Sequence, residues 1–336
     1  MAWLSKLFWN DDERRVRALW RLLLHGLTMA ILAVVMGIVL WPLLSRLPGS
    51  GSEGIPGVGE GVFALALIGL STWLCTHVFD KRRFDDLGFN FELQWWLDLG
   101  AGGLLGALLM AGIFGLEWAM GWLTVEGTFV GAAEGQPFAR ALVAPFLVFV
   151  CVAIYEELLS RGYHMRNLAE GLHGLGAKEG RRGVGPGAAL VIATLMSSTV
   201  FGLMHAGNPS ATWISSLNIA LAGCMLAVGP ALTGELGFAI GLHLTWNFCQ
   251  GSVFGFPVSG TFAGPRVVAI EQGGDALITG GEFGPEAGLL GVAACLLGGL
   301  ATLAWVRFTR GPLDAEELRE LVEPPERTGP PRLDEL

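Results

Sequence analysis

The chain has 336 residues, of which 52% are hydrophobic and only 15% are charged, and its formal net charge at neutral pH is −9. Its mean hydropathy of +0.54 lies far from the average of soluble proteins. This composition excludes an ordinary soluble domain, and nothing in it indicates nucleic-acid binding. The class that remains is a polytopic membrane protein, for which we predict an all-α bundle.

Eight apolar runs are long enough to form membrane-spanning helices, each of which needs about 20 residues. The runs are 19–44, 61–79, 99–123, 138–159, 187–206, 211–231, 236–253 and 286–306. The first run is too long for a cleavable signal peptide and lacks a small-residue cleavage site, so it is expected to remain as an anchor. The sequence therefore predicts about eight transmembrane helices.

Lysine and arginine residues are concentrated in alternate loops. One face carries basic clusters within segments 6–21, 81–83, 161–182 and 307–310. The other face has only Arg46, Arg140 and Arg266. Because excess basic residues mark the cytoplasmic side, an even number of spans is expected to place both termini in the cytosol. We predict a multi-pass protein of the cell membrane.

Two adjacent glutamates interrupt the end of the fourth run, in the stretch Y-E-E-L-L-S-R. A charge at the centre of a bilayer costs about 2.5 to 3.5 kcal/mol, so such residues usually face a partner or a water-filled cavity. Glu157 and Arg161 are four residues apart and share a helical face, which allows an ion pair. Glu156 is rotated by about 100° and points elsewhere. An alternative is that both glutamates are solvated at the end of a helix.

Two later runs also carry polar side chains at helical spacing. Phe201 and His205 lie one turn apart in F-G-L-M-H, and His243 and Asn247 lie one turn apart in H-L-T-W-N. A lone histidine in such a run is more often a hydrogen-bonded packing residue than a catalyst. Glutamate, two histidines and asparagine on three separate helices instead favour one common site.

These stretches resemble the E-E-x-x-x-R, F-x-x-x-H and H-x-x-x-N motifs of the CPBP family, intramembrane proteases that include the CAAX prenyl endopeptidases and the bacterial Abi proteins. The order of the motifs matches, and residues 233–260 resemble the bacterial branch in particular. The resemblance extends from about Leu142 to Gly260, although Glu235 replaces the small polar residue expected there. It implies a bacterial inner-membrane protein.

The resemblance implies hydrolysis of a peptide bond by an activated water molecule. Glu156 is the expected general base, and His205 is expected to hold the same water. His243 and Asn247 are expected to donate hydrogen bonds to the oxyanion. The expected substrate is a membrane protein or a lipidated or hydrophobic peptide. The supporting residues are Glu157, Arg161 and Phe201.

Zinc chemistry is the competing mechanism, because Glu156, His205 and His243 match the one carboxylate and two imidazoles of some catalytic zinc sites. Glu157 would then be the base. The sequence has no H-E-x-x-H stretch and offers no obvious carboxylate partner for either histidine, so we favour a site without a metal. In either mechanism the predicted topology has a difficulty, since Glu156 and His205 fall near opposite ends of their helices.

The expected organisation has four parts. They are N-terminal transmembrane helices over 1–135, a CPBP-type protease core over 136–260, an outer loop and last helix over 261–310, and a disordered cytosolic tail over 311–336. Two other functions remain open for this architecture. A non-catalytic immunity or scaffold protein could retain the fold, and a transporter could use intramembrane carboxylates, although no internal repeat is evident.

Overall fold

A computed structural model describes residues 7–11, 13–47, 57–177, 183–261, 264–312 and 314–323. Within these residues, seven helices are long and apolar enough to cross a membrane, which confirms the predicted helical bundle. They are α1 (Ala18–Val39), α2 (Val58–Asp80), α3 (Leu93–Ala119), α4 (Phe138–Leu172), α5 (Pro186–Met204), α6 (Trp213–Thr233) and α8 (Leu289–Arg310).

The remaining predicted span, 236–253, forms a shorter helix. It comprises α7 (Gly237–Phe248) and a π-helical continuation, Cys249–Val253. Apolar side chains such as Phe238, Leu242 and Trp246 are buried, and so are the polar side chains of His243 and Asn247. A helix that is buried on nearly every side lies in the core of a bundle. The bundle therefore surrounds α7 with longer helices.

Helix α4 extends well beyond its predicted end at residue 159. Its continuous path includes Phe138–Ala141, Val143–Glu157, a π-helical segment Leu158–Met165 and a last α-helical segment, Arg166–Leu172. Arg161, counted in the sequence among the basic loop residues, lies inside this helix with only 2% of its surface exposed. It remains in the bundle because Glu157 provides an opposite charge. Glu156 therefore lies near the middle of α4.

Two small antiparallel sheets, which the sequence analysis did not predict, accompany the helices. Strands β1 (Trp9–Asn10) and β2 (Arg15–Val16) pair near the start of the chain. Strands β3 (Leu123–Val130) and β4 (Arg266–Gln272) pair from Leu123 opposite Gln272 to Val130 opposite Arg266, with an irregularity between Val125 and Gly127. Short helical turns comprise Trp41–Leu44, Asp85–Leu87, Ala276–Thr279, Gly281–Phe283 and Pro285–Ala287.

The first part of the predicted disordered tail is ordered. Helix α9 (Ala315–Glu320) begins with a capping box between Asp314 and Glu317, which satisfies backbone donors at its start. Val322 is 1% exposed and belongs to an apolar cluster that also includes Leu190 of α5 and Ala227 of α6. The segment thus packs against the bundle, whereas residues 324–336 of the predicted tail lie outside the described residues.

A buried ionic cluster joins the N-terminal segment to the end of α4. Glu170 Oε2 accepts hydrogen bonds from Arg15 Nη2 at 2.8 Å and Arg21 Nη2 at 3.1 Å, and Glu170 Oε1 accepts one from Arg82. Removing one partner of a buried pair leaves an uncompensated charge, at a cost of about 3 to 5 kcal/mol. The cluster therefore fixes α4, and with it the helix that carries Glu156, against α1 and α2.

Helices α3 and α7 approach each other over glycine. A Cβ atom on Gly241 would overlap the carbonyl oxygen of Leu99, and one on Gly102 would overlap the carbonyl oxygen of Phe238. Small residues allow such backbone approach between helices in a membrane. The close contact sets the position of α7, which carries His243 and Asn247.

We expect Gly241→Ala to destabilise the protein, because the added methyl group must push α7 away from α3. Overpacking of this kind typically costs about 1 to 3 kcal/mol. The matched control is Gly112→Ala in α3, where an added Cβ meets nothing within 4 Å. Thermal unfolding in detergent measures both variants. Equal melting temperatures for the two variants would contradict the proposed constraint on helix spacing.

Candidate active site

A cavity of about 390 Å³ lies between α4, α5, α6 and α7, and all four predicted catalytic residues line it. Glu156 reaches it from α4, His205 from the end of α5, and His243 and Asn247 from α7. Its apolar walls come largely from α4 and α6. The apolar side chains include Phe149, Val152, Ile219, Met225 and Leu226.

The extended α4 resolves the topological difficulty raised by the sequence. Glu156 lies near the middle of α4, whereas α5 ends at Met204 and places His205 just beyond its last turn. Because the end of α5 meets the middle of α4, both side chains line the same cavity. The continuation of α4 to Leu172 is what brings the two residues to the same depth of the bundle.

The adjacent glutamates occupy different environments. The side chain of Glu156 is 17% exposed, whereas that of Glu157 is 0% exposed. Oε2 of each glutamate is buried and has no hydrogen-bond partner among the described residues, but Glu156 lines the cavity and Glu157 does not. Glu156 Oε2 lies 3.8 Å from His243 Nε2 at the cavity. Glu156 is therefore the member of the pair that can contact a water molecule or a substrate.

Glu157 holds two neighbours at once. Its Oε1 accepts a hydrogen bond from Arg161 Nη1 at 2.9 Å, as the four-residue spacing predicts. The same oxygen accepts one from His243 Nδ1 at 2.8 Å. The expectation that neither histidine has a carboxylate partner is therefore wrong, because residues 86 positions apart in sequence meet across two helices.

The contact with Glu157 determines how His243 presents its ring. A carboxylate oxygen accepts, so Nδ1 carries the hydrogen of that bond and Nε2 is directed to the cavity. A carboxylate on the outer nitrogen commonly fixes the orientation and tautomer of a functional histidine. In its protonated form, this ring donates to Glu157 from Nδ1 and has a second donor, Nε2, beside Glu156.

Arg161 links the supporting residues. Its Nη2 donates to the carbonyl oxygen of Gly223 in α6 at 2.9 Å, and its guanidinium carbon lies 4.5 Å from the centre of the Phe201 ring. A cation above an aromatic face is stabilised further when it is buried. Arg161 therefore connects α4, α5 and α6 behind the cavity, and it positions Glu157.

His205 is also held by a single defined contact at Nδ1. This nitrogen lies 2.8 Å from the carbonyl oxygen of Phe201, and the two rings lie 4.8 Å apart. Because a carbonyl oxygen accepts, Nδ1 carries the hydrogen and the neutral ring has its lone pair on Nε2. His205 can therefore accept a hydrogen bond, which is the property expected of a residue that orients water.

Glu286 and Ser259, which belong to none of the motifs in the sequence, also line the cavity. Glu286 Oε2 accepts hydrogen bonds from the Ser259 backbone nitrogen at 2.6 Å and from Ser259 Oγ at 3.1 Å. Burial raises the pKa of the Glu286 carboxyl, and the hydrogen bonds from Ser259 act in the opposite direction. A carboxylate at the start of the last apolar run is the signal in the sequence that could have identified Glu286.

A metal centre is not evident in this arrangement. Among the residues that the structure describes, no group of three histidine, cysteine, aspartate or glutamate side chains could hold a metal ion. Glu156, His205 and His243 line one cavity without forming such a group. The set considered for zinc in the sequence therefore does not form a ligating group among the described residues.

A known family model matches the segment of the chain that contains these motifs. Residues 138–249 match the family model described as type II CAAX prenyl endopeptidase Rce1-like. No curated protein and no solved structure matches the chain. The matched segment contains Glu156, His205, His243 and Asn247, and it ends before Ser259 and Glu286. Residues 138–249 are therefore similar to the Rce1-like type II CAAX prenyl endopeptidases, which are a family of peptidases.

Proposed function

We propose that this protein is an intramembrane endopeptidase that hydrolyses a peptide bond of a membrane-anchored or hydrophobic substrate. The observation that supports this most directly is the pairing of Glu156 with His243 at the cavity. A buried carboxylate oxygen without a protein partner lies 3.8 Å from an imidazole nitrogen, and His205 and Asn247 line the same space. A general base must lie within hydrogen-bond reach of the proton that it takes, and a carboxylate oxygen without a protein partner at the cavity meets this requirement.

In the proposed first step, Glu156 takes a proton from water as the water oxygen attacks the peptide carbonyl carbon. His205 Nε2 accepts a hydrogen bond from the other hydrogen of that water and orients its lone pair. Proton transfer to a positioned base contributes roughly 10² to 10⁴ in rate. Glu156 and His205 come from different helices, so the water is oriented from two sides.

The attack places a negative charge on the former carbonyl oxygen. We assign its stabilisation to His243 Nε2 and the side-chain amide of Asn247, which lie one turn apart on α7 and are 6% and 8% exposed. A preorganised donor of this kind is typically worth about 3 to 4 kcal/mol. The rigid contact between α3 and α7 preserves their alignment.

The tetrahedral intermediate then collapses. The carbon–nitrogen bond breaks, and Glu156 returns the proton that it took from water to the leaving amine. One product gains a carboxylate and the other a free amine, while Glu156 returns to its ionised form. A single carboxylate can thus act as base and then as acid.

The cavity walls support a hydrophobic substrate. Apolar side chains of α4 and α6 line the cavity together with the polar groups, namely Phe149, Val152, Ile219, Met225 and Leu226. Burial of apolar side chains contributes about 25 cal/mol per Å² removed from water. A peptide with apolar side chains beside its scissile bond therefore suits this cavity, and a substrate anchored in the same membrane reaches it by lateral diffusion.

Comparing the peptides of cells that express the wild-type protein or Glu156→Gln tests this function. We expect cleavage products of membrane proteins that depend on Glu156, and their uncleaved precursors should accumulate with the variant. Purified protein in liposomes should then cleave a peptide that covers the same site. An unchanged peptide pattern together with inactive purified protein would instead support the non-catalytic scaffold.

We also predict that activity does not depend on zinc, because the charge of the oxyanion is assigned to protein donors. Purified protein, analysed by elemental mass spectrometry, should cleave the peptide while containing far less than one zinc per chain. Prolonged dialysis against a strong chelator should leave the rate unchanged within about twofold. Loss of activity on dialysis with recovery on adding zinc alone would contradict the proposed mechanism.

A further inference from the structure

His205 differs from the other proposed catalytic residues in its local support. Glu156, His243 and Asn247 lie within helices, whereas His205 is the capping residue after the last turn of α5. Helix ends fray more readily than helix interiors because their last carbonyl groups lack helical partners. A residue that must orient water from a helix end therefore needs support from elsewhere in the structure.

That support comes from residues 258–261, which we call the strap. The strap closes on itself, with Val258 N donating to Thr261 O at 2.7 Å and Thr261 N donating to Val258 O at 2.9 Å. Asn208 Nδ2 donates to the carbonyl oxygen of Ser259 at 3.0 Å, and Asn208 N donates to the carbonyl oxygen of His205 at 3.1 Å. The strap is therefore connected through Asn208 to the backbone of His205.

Glu286 holds the other side of the strap. Its Oε2 accepts both donors of Ser259, the backbone nitrogen and the hydroxyl, and the residue is 8% exposed. A second contact, from Gly260 N to the carbonyl oxygen of Phe283 at 2.8 Å, joins the same two segments. Gly260 has a φ of +84°, and any Cβ there would overlap the carbonyl oxygen of Pro209. The strap is thus packed tightly between the turn after α5 and the turn before α8.

From this chain of contacts we infer that Glu286 is a positioning residue, which fixes the end of α5, and with it His205, through Ser259 and Asn208. The inference deepens the proposed endopeptidase function and rests on it for its catalytic consequence. Glu286 lies beyond the segment that matches the family model, at 138–249. The C-terminal part of the chain therefore completes a site whose proposed catalytic groups all come from the matched segment.

Hydrogen–deuterium exchange tests the positioning without relying on activity. In Glu286→Ala, the amides of 205–211 and 258–261 should exchange at least about tenfold faster, because the lost hydrogen bonds to a charged group are each worth about a factor of ten or more. Glu286→Gln retains an acceptor oxygen and should give an intermediate result. Exchange within 186–200 of α5 should not change.

The matched control is Glu282→Ala. Glu282 is exposed and its Oε2 accepts from Ser210 Oγ at 3.2 Å, so it joins the same two turns at the surface. It should leave exchange at 205–211 unchanged. Unchanged exchange in Glu286→Ala, or faster exchange spread throughout α5, would overturn the inference.

Peptide cleavage by the same samples separates this inference from the proposed function. We expect kcat to fall about 10- to 100-fold in Glu286→Gln with KM changed less than about threefold. The attacking water would be misplaced, whereas the apolar cavity walls that contact the substrate would be unchanged. A rise in KM as large as the fall in kcat, or a rise in KM alone, would count against positioning. If the wild-type protein cleaves no substrate, the proposed function fails, and the exchange data still decide whether Glu286 fixes the end of α5.

Discussion

Replacing Glu156 with glutamine should abolish peptide cleavage while leaving the protein folded. The amide retains the shape of the side chain but cannot take a proton from water, so the rate should fall by roughly 10² to 10⁴. Glu156 makes no hydrogen bond through Oε2 within the described residues, and its side chain is 17% exposed. Its neighbour His243 keeps the hydrogen bond to Glu157 when Glu156 is neutralised, so the melting temperature in detergent should stay close to that of the wild-type protein.

The control is Glu271→Gln, an exposed carboxylate on β4 whose loss should affect neither rate nor stability. Both variants should be assayed on one fluorogenic peptide and unfolded in the same detergent. A Glu156→Gln protein that cleaves at the wild-type rate would remove Glu156 as the base. A variant that is inactive because it unfolds would instead show that Glu156 supports the structure.

The helices and the motif residues could be predicted from sequence because both depend on local patterns. A run of about 20 apolar residues directly indicates a membrane-spanning helix. The spacing of Phe201 and His205, and of His243 and Asn247, places each pair on one helical face. In the structure, Glu156, His205, His243 and Asn247 line one cavity.

The features that sequence could not provide depend on contacts between distant segments. The contact of His243 with Glu157 crosses two helices, and the contact of Ser259 with Glu286 joins a loop to the turn before α8. The extension of α4 also depends on a contact within the bundle. Arg161 interrupts the apolar pattern of the sequence, but in the structure it forms an ion pair with Glu157 and remains inside the helix. Hydropathy alone therefore places the end of α4 too early.

The ordering of residues 314–323 illustrates this limit in another way. A Pro- and Glu-rich composition favours disorder because it provides little apolar surface to bury. Leu318, Leu321 and Val322 nevertheless pack on a surface that α5 and α6 already provide. A segment that cannot form a core by itself can thus be ordered by docking on an existing one.

Glu157 should show the opposite balance of effects from Glu156. Glu157→Gln leaves the 2% exposed Arg161 without its carboxylate, and breaking a buried pair costs about 3 to 5 kcal/mol. It also removes the carboxylate that fixes Nδ1 of His243. We therefore expect a large loss of stability together with a loss of activity, and Arg161→Gln should resemble it.

The control is the exposed pair Arg319 and Glu323, which has the same four-residue spacing and a 3.6 Å separation. Exposed pairs are typically worth about 0 to 1 kcal/mol, so Glu323→Gln should change the melting temperature little. If Glu157→Gln and Glu323→Gln lowered the melting temperature by similar amounts, burial would not increase the contribution of the ion pair to stability.

A double-mutant cycle then separates the roles of the two adjacent glutamates. Positions 157 and 161 share a hydrogen bond, so their stability effects should be strongly non-additive, whereas those of 156 and 161 should add within about 0.5 kcal/mol. Melting temperature and cleavage rate, measured on the same preparations, provide both readouts. If Glu156→Gln remained fully active while Glu157→Gln folded normally and was inactive, the roles would be reversed. Glu157 would then be the base, and its contacts with Arg161 and His243 would have to open before water could reach it.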